Sequence, residues 1–184
     1  MKRKDGDVSQ FEMSAANIIL ITNLKRGMLG KVDFQKTIYL CKQLGVYLPF
    51  EFRWDKFGPY SFELAHFVNQ LVARNSLSIS KGTYLAHSED PLTDHARELA
   101  TIDDEMMRRL TALFRSIRQT VHQNGFSIPA FMECLGSIHF IKTSLETSDR
   151  RTVFDALEQL KPSRAHKFSP MVEEAWNLLN RNGL

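Results

Sequence analysis

The chain is poor in cysteine and has no long apolar run. Its 184 residues include two cysteines, Cys41 and Cys134, too few and too far apart for a disulfide framework. Both fall on helical stripes, as reduced thiols packed in a core do. No segment reaches the roughly 18 uninterrupted apolar residues of a membrane span. The opening MKRKDGDVSQ runs from basic to acidic without an apolar signal core. The expectation is a cytoplasmic protein with no membrane partner. Six histidines form no H-E-x-x-H pair and no zinc spacing with cysteine, and no acidic cluster has the form of a metal loop. The glycines form neither G-x-G-x-x-G nor a P-loop, and G-x-S-x-G is absent. The pairs Asp103-Asp104 and Glu173-Glu174 stand at helix starts, where the helix dipole accounts for them. No catalytic constellation is local in the sequence, so a non-enzymatic chain with no metal and no cofactor is expected. There is no internal repeat and no low-complexity tract.

What is present is an ordinary globular balance, 43% hydrophobic and 24% charged residues, enough for one domain with an appended layer. The net charge of +3 hides an asymmetry. Up to Leu85 twelve Lys and Arg face seven Asp and Glu; from Ala86 onward twelve face fourteen. A mildly basic front suits nucleic acid or an acidic protein, although Lys2, Arg3 and Lys4 read as a solvated tail.

The stretch from Phe34 to Val72 organises the rest. Phe34, Ile38, Cys41 and Leu44 make one helical stripe, with Lys36, Lys42 and Gln43 expected on the surface. Asp33 is placed to cap this helix and Gly45 to end it. FEFRW then alternates Phe50, Phe52 and Trp54 against Glu51 and Arg53, the period of a half-buried strand. Gly58 and Pro59 predict a sharp turn, and Ser61 caps a helix from Phe62 to about Arg74.

Upstream, Ser14 precedes a nearly all-round apolar helix, AANIILITNLKR, joined to the next by the short GMLGKVD. Downstream, LSIS and TYLA around Lys81-Gly82 read as a β-hairpin. Three helices, a strand before the third and a closing hairpin follow the order of a winged helix-turn-helix. The polar HSEDPLT marks a boundary. Beyond it come four helices: one opened by Asp103 or Asp104 with Arg108 and Arg115 on its polar face, one from Ser127 to Pro129 onward, one from about Thr152 to Leu160, and a last one capped by Ser169 with Pro170 at its first position. The expected architecture is mainly α with a small β component (α+β): a winged-helix-like part over 1–86, a linker over 87–102 and a helical layer over 103–184 packed on it as one compact unit.

The pattern F-x-K-x-x-Y-L, an aromatic strand, G-P-Y-S opening a helix, and a short Leu-Ser-Ile strand resembles the YwgA-like proteins and the broader SocA/Panacea antitoxin group. The matching residues are Phe34, Lys36, Tyr39, Leu40, Phe52, Phe57, Gly58, Pro59, Tyr60, Ser61 and Leu64. ECLGSIHFIK, LEQLKP and FSPMVEEAWNLL resemble the later helices of the YwgA-like branch. The resemblance implies a bacterial interaction module that binds a partner toxin or defence component, or acts as an adaptor.

Aromatic and basic residues concentrate at Arg53, Trp54, Lys56, Phe57 and Tyr60, the residue types that anchor protein interfaces, so this is the expected partner surface. The competing reading is a DNA-binding regulator, with Lys36, Lys42 and Lys81 on phosphates and a second subunit completing a homodimer. Its would-be recognition helix, SFELAHFVNQLVAR, carries Glu63 near the start and only Arg74 as a cation, a poor reader of DNA.

Overall fold

The structure is a computed structural model that describes residues 9–87 and 91–184. Lys2, Arg3 and Lys4, and residues 88–90 of the expected linker, lie outside the described residues. The fold is mainly helical with a small antiparallel sheet, and among the described residues no helix is long and apolar enough to cross a membrane.

The first helix, α1 (Gln10–Lys25), starts earlier than the Ser14 reading placed it. Ser9 is the cap: its side chain accepts from the Glu12 N–H while the Glu12 carboxylate accepts from the Ser9 N–H, a reciprocal pair that satisfies two helix-end donors. The connection GMLGKVD holds a strand that sequence periodicity did not register, β1 (Met28–Leu29), before α2 (Gly30–Gln43). Asp33 does not cap α2. It lies inside the first turn, where its buried carboxylate accepts from the Leu29 N–H and binds the Lys25 ammonium. Gly45, at φ +105°, ends the helix as expected, with Val46 N–H donating back to Cys41.

A two-stranded ribbon follows, β2 (Arg53–Asp55) with β3 (Gly58–Tyr60), then α3 (Phe62–Ala73) capped by Ser61. The hairpin β4 (Leu77–Ser80) and β5 (Thr83–Ala86) turns at Lys81-Gly82, both with positive φ, as a two-residue turn matched to strand twist requires. β1 adds to its far side, giving a sheet of order β1-β5-β4.

Within 87–102, the short helices α4 (Pro91–Asp94) and α5 (Ala96–Leu99) pack on α1. The buried Asn17 amide fastens this segment, donating to Tyr47 O and Thr101 Oγ1 and accepting from the Thr101 N–H. The back layer consists of α6 (Asp104–Asn124), α7 (Ile128–Ser144), α8 (Arg150–Leu160), a single 3-10 turn at Pro162–Arg164, α9 (Ala165–Phe168) and α10 (Val172–Arg181). The last helix starts two residues beyond the expected Pro170, with Met171 as its cap residue, because α9 occupies the chain up to Phe168. α7 is buried on nearly every side, packed on α2 in front and on α8 and α10 behind. One apolar cluster runs from Ile18 on α1 through Ile38 on α2 and Leu135 on α7 to Leu178 on α10.

Candidate functional site

The G-P-Y motif is not the turn itself. The ribbon reverses at Lys56-Phe57, and Gly58 begins the returning strand, with Arg53 opposite Tyr60, Trp54 opposite Pro59 and Asp55 opposite Gly58. Gly58 is required on two counts. Its φ of +82° lies in the left-handed region, and a Cβ there would stand 2.4 Å from the Ser137 Oγ on α7. Pro59 is buried beside it.

A paired strand ribbon alone is marginally stable. Here two lysines pin it from beneath. Lys36, expected on the surface as a phosphate contact, is fully buried: its Nζ donates to the Pro59 carbonyl at 2.6 Å. The stem reaches that carbonyl by crossing α7 at Gly136, where a Cβ would sit 3.1 Å from the Lys36 Cδ. Burial, and secondarily the Lys161 ammonium, pull the Lys36 pKa down to about 7, against the opposing pull of Glu133 and Asp55. Lys161, also buried, donates to the Glu133 carboxylate at 2.8 Å and to the Lys56 carbonyl at 2.9 Å. It thereby holds the tip of the ribbon to a helix more than a hundred residues downstream. Burial lowers its pKa as well, while Glu133 raises it. The Arg164 Nε stands 3.8 Å from the same Glu133 carboxylate. Two cations, Lys161 and Arg164, thus share the Glu133 carboxylate, and Lys36 lies within its field.

Above this base lies the surface expected to meet a partner. The Arg53 side chain is 83% exposed and pairs at 3.3 Å with Glu51, itself 73% exposed, a contact of little energetic weight. Lys56 is exposed, and Phe57 lies half-buried between the Lys56 ammonium, 5.6 Å from its ring, and the Arg164 guanidinium at 5.2 Å. Trp54 is half-buried, packed against Phe140 and under the Lys161 ammonium, so it supports the ribbon as much as it faces outward. Tyr60 is half-buried and meets Phe62 edge to face at 5.0 Å. Phe62, at the first position of α3, is 74% exposed and escaped sequence reasoning because helix stripes mark buried faces only.

The other motif residues are structural. Tyr39 is buried and its hydroxyl meets the His139 Nδ1 at 2.8 Å, while burial lowers the His139 pKa to about 4. Ser61 caps α3, and its backbone N–H and C=O both bond the buried Gln35 amide. Phe34 is core. Of the remaining lysines proposed for phosphate, Lys42 donates to the Phe50 carbonyl at 2.5 Å and is half-buried; Lys81 is exposed at the hairpin tip.

Glu133, Gly136, Ser137, Lys161 and Arg164 were missed. A signal existed: in FMECLGSIHF a lone glutamate stands inside an otherwise apolar helix, which calls for a buried cation elsewhere in the chain. No known protein family, curated protein or solved structure matches this chain.

Proposed function

We propose that this protein is a recognition module with a winged-helix-like front, akin in role to the antitoxins and adaptors of the SocA/Panacea group. It docks a partner protein through the ribbon tip and the start of α3. The element order α1-β1-α2-β2-β3-α3-β4-β5, with a sheet of order β1-β5-β4 and a Lys81-Gly82 tip, supports the winged-helix reading, the β2-β3 ribbon being an insertion between its second and third helices. The observation that carries the docking reading is Phe62: a large aromatic 74% exposed, beside Tyr60 and next to a ribbon whose backbone carbonyls are held by two buried lysines. A rigid base under exposed aromatics and Arg53 is what a binding anchor needs. The partner has an apolar pocket flanked by carboxylates, as a toxin or defence-system component neutralised by contact can have.

The DNA-binding alternative loses support from the same geometry. Lys36 is inside the protein, and Lys42 is engaged by a carbonyl. The one cation at the end of α3, Arg74, lies over the Phe11 ring at 4.4 Å. The test is co-expression with the product of the neighbouring gene, followed by calorimetric titration. Tyr60→Ala and Phe62→Ala are each expected to weaken the complex by about 2 kcal/mol, with the melting temperature of Phe62→Ala unchanged. A complex indifferent to both variants, or no complex at all, removes the reading. Salt-dependent binding to the protein's own upstream DNA, measured by anisotropy, would favour the alternative.

A further inference from the structure

A pocket between α2, α3, β3 and β5 has Tyr60 in its wall. Its cavity volume is about 50 Å³, and it opens to solvent. Its floor is apolar, made by Phe34 from α2 and by Ala65 and Val68 from α3. Four polar side chains converge on it from four elements: Lys31 on α2, Tyr60 on β3, Asn69 on α3 and Tyr84 on β5. None of the four makes a hydrogen bond or ion pair to another described residue. A fifth, Gln35, is already spent on the Ser61 backbone in both directions and holds the wall in place.

Tyr84 is 93% buried by its neighbours, being 7% exposed, and Phe34 fixes its ring edge to face at 4.9 Å. The ring is held, while the hydroxyl makes no hydrogen bond to a described residue and reaches solvent through the cavity, where an entering ligand can meet it. Burial, and secondarily Tyr60 beside it, raise its pKa, so the Tyr84 phenol remains a donor at neutral pH. The lining holds one ammonium and no Asp or Glu. The complement of that set is a single negative charge with lone pairs to accept several donors, attached to a body that wets Phe34 and Val68.

We propose that this pocket binds a carboxylate carried on a short apolar body, with Lys31 and the Tyr84 and Tyr60 hydroxyls on the carboxylate and the apolar part on the floor. Both a free small carboxylic acid and the C-terminal carboxylate of a peptide ending in an apolar residue have this chemistry. The proposal shares Tyr60 with the docking reading, and Lys31→Gln, outside the docking surface, tells the two apart.

The test titrates the full chain, followed by NMR and by thermal melting, with 4-methylpentanoate, with benzoate, and with a pentapeptide ending in leucine in its free-acid and amidated forms. Saturable binding by the free acids assigns the site to small molecules; binding by the free-acid peptide alone assigns it to a protein terminus. In either case Lys31→Gln, at an exposed position, is expected to weaken binding about tenfold, as loss of a charge-assisted bond does. Tyr84→Phe is expected to weaken it severalfold; if that variant fails to fold, Lys31→Gln decides. No saturation by any probe at millimolar concentration, equal binding of 4-methylpentanamide or the amidated peptide, or indifference to Lys31→Gln would overturn the proposal.

Discussion

A lysine ammonium taken out of water loses hydration that one carbonyl restores only in part, and Lys36 stands in that position with a second ammonium nearby. Its folded pKa of about 7 against an ordinary 10.5 means that between those values the unfolded chain holds more protons, so stability rises with pH. The slope from this group is at most about 1.4 kcal/mol per pH unit. Above about pH 8.5 the buried thiols act in the opposite sense, because the unfolded chain releases protons that burial retains in the fold. Between roughly pH 7 and 8.5, urea unfolding should therefore show wild type gaining stability relative to Lys36→Met; parallel curves would mean that Lys36 does not titrate there. Ser137 offers a second residue-level test. Its buried hydroxyl has no partner, so Ser137→Ala is expected to be neutral or to stabilise by up to about 1 kcal/mol. Gly58→Ala should cost on the order of 2 to 4 kcal/mol, more than Pro59→Ala, and should cost less in the Ser137→Ala background because the 2.4 Å clash is gone. An equal cost in both backgrounds would assign the whole effect to backbone conformation.

At the scale of elements, the β2-β3 ribbon has too few ladder bonds to stand alone and draws its order from Lys36, Lys161 and the packing of Trp54 on Phe140. Trp54→Ala is accordingly expected to lower stability by roughly 2 to 3 kcal/mol, while Phe62→Ala leaves it within about 0.5 kcal/mol. Calorimetric melts of the pair separate support from anchor, and equal losses would place Phe62 in the core. Which elements exist was legible where local chemistry specifies them. Gly45, Gly82 and Ser61 each act where their local preferences point, and the alternation from Phe50 to Trp54 holds in burial although the strand itself is only Arg53–Asp55. β1 was illegible because two residues carry no periodicity; it exists only through pairing with β5. The burial of Lys36 was illegible for a related reason: its partners are the Pro59 carbonyl and a helix, α7, far along the chain, whereas a hydrophobic pattern registers only apolar residues. Of the expected site, Phe57 lies beside Lys56, Tyr60 meets Phe62, and Trp54 turns partly inward onto Phe140.

Across the whole molecule, front and back halves share their centre: α7 lies against α2, and the Glu133–Lys161 pair reaches the ribbon from behind. Each of these two central helices carries one of the chain's cysteines, Cys41 on α2 and Cys134 on α7, both free and sealed from solvent. Burial also raises both thiol pKa values, so neither presents a thiolate at neutral pH. An alkylating reagent can therefore reach either sulfur only when its helix opens, which makes the two cysteines a pair of built-in clocks for native-state fluctuation. If α2 and α7 part only when everything unfolds, mass spectrometry should find both sites labelled at one common rate, with that rate tracking global stability across denaturant concentration. Faster labelling of Cys134 would reveal that the back layer lifts away while the front stays shut, so that the lysine-held ribbon is intermittently released from behind.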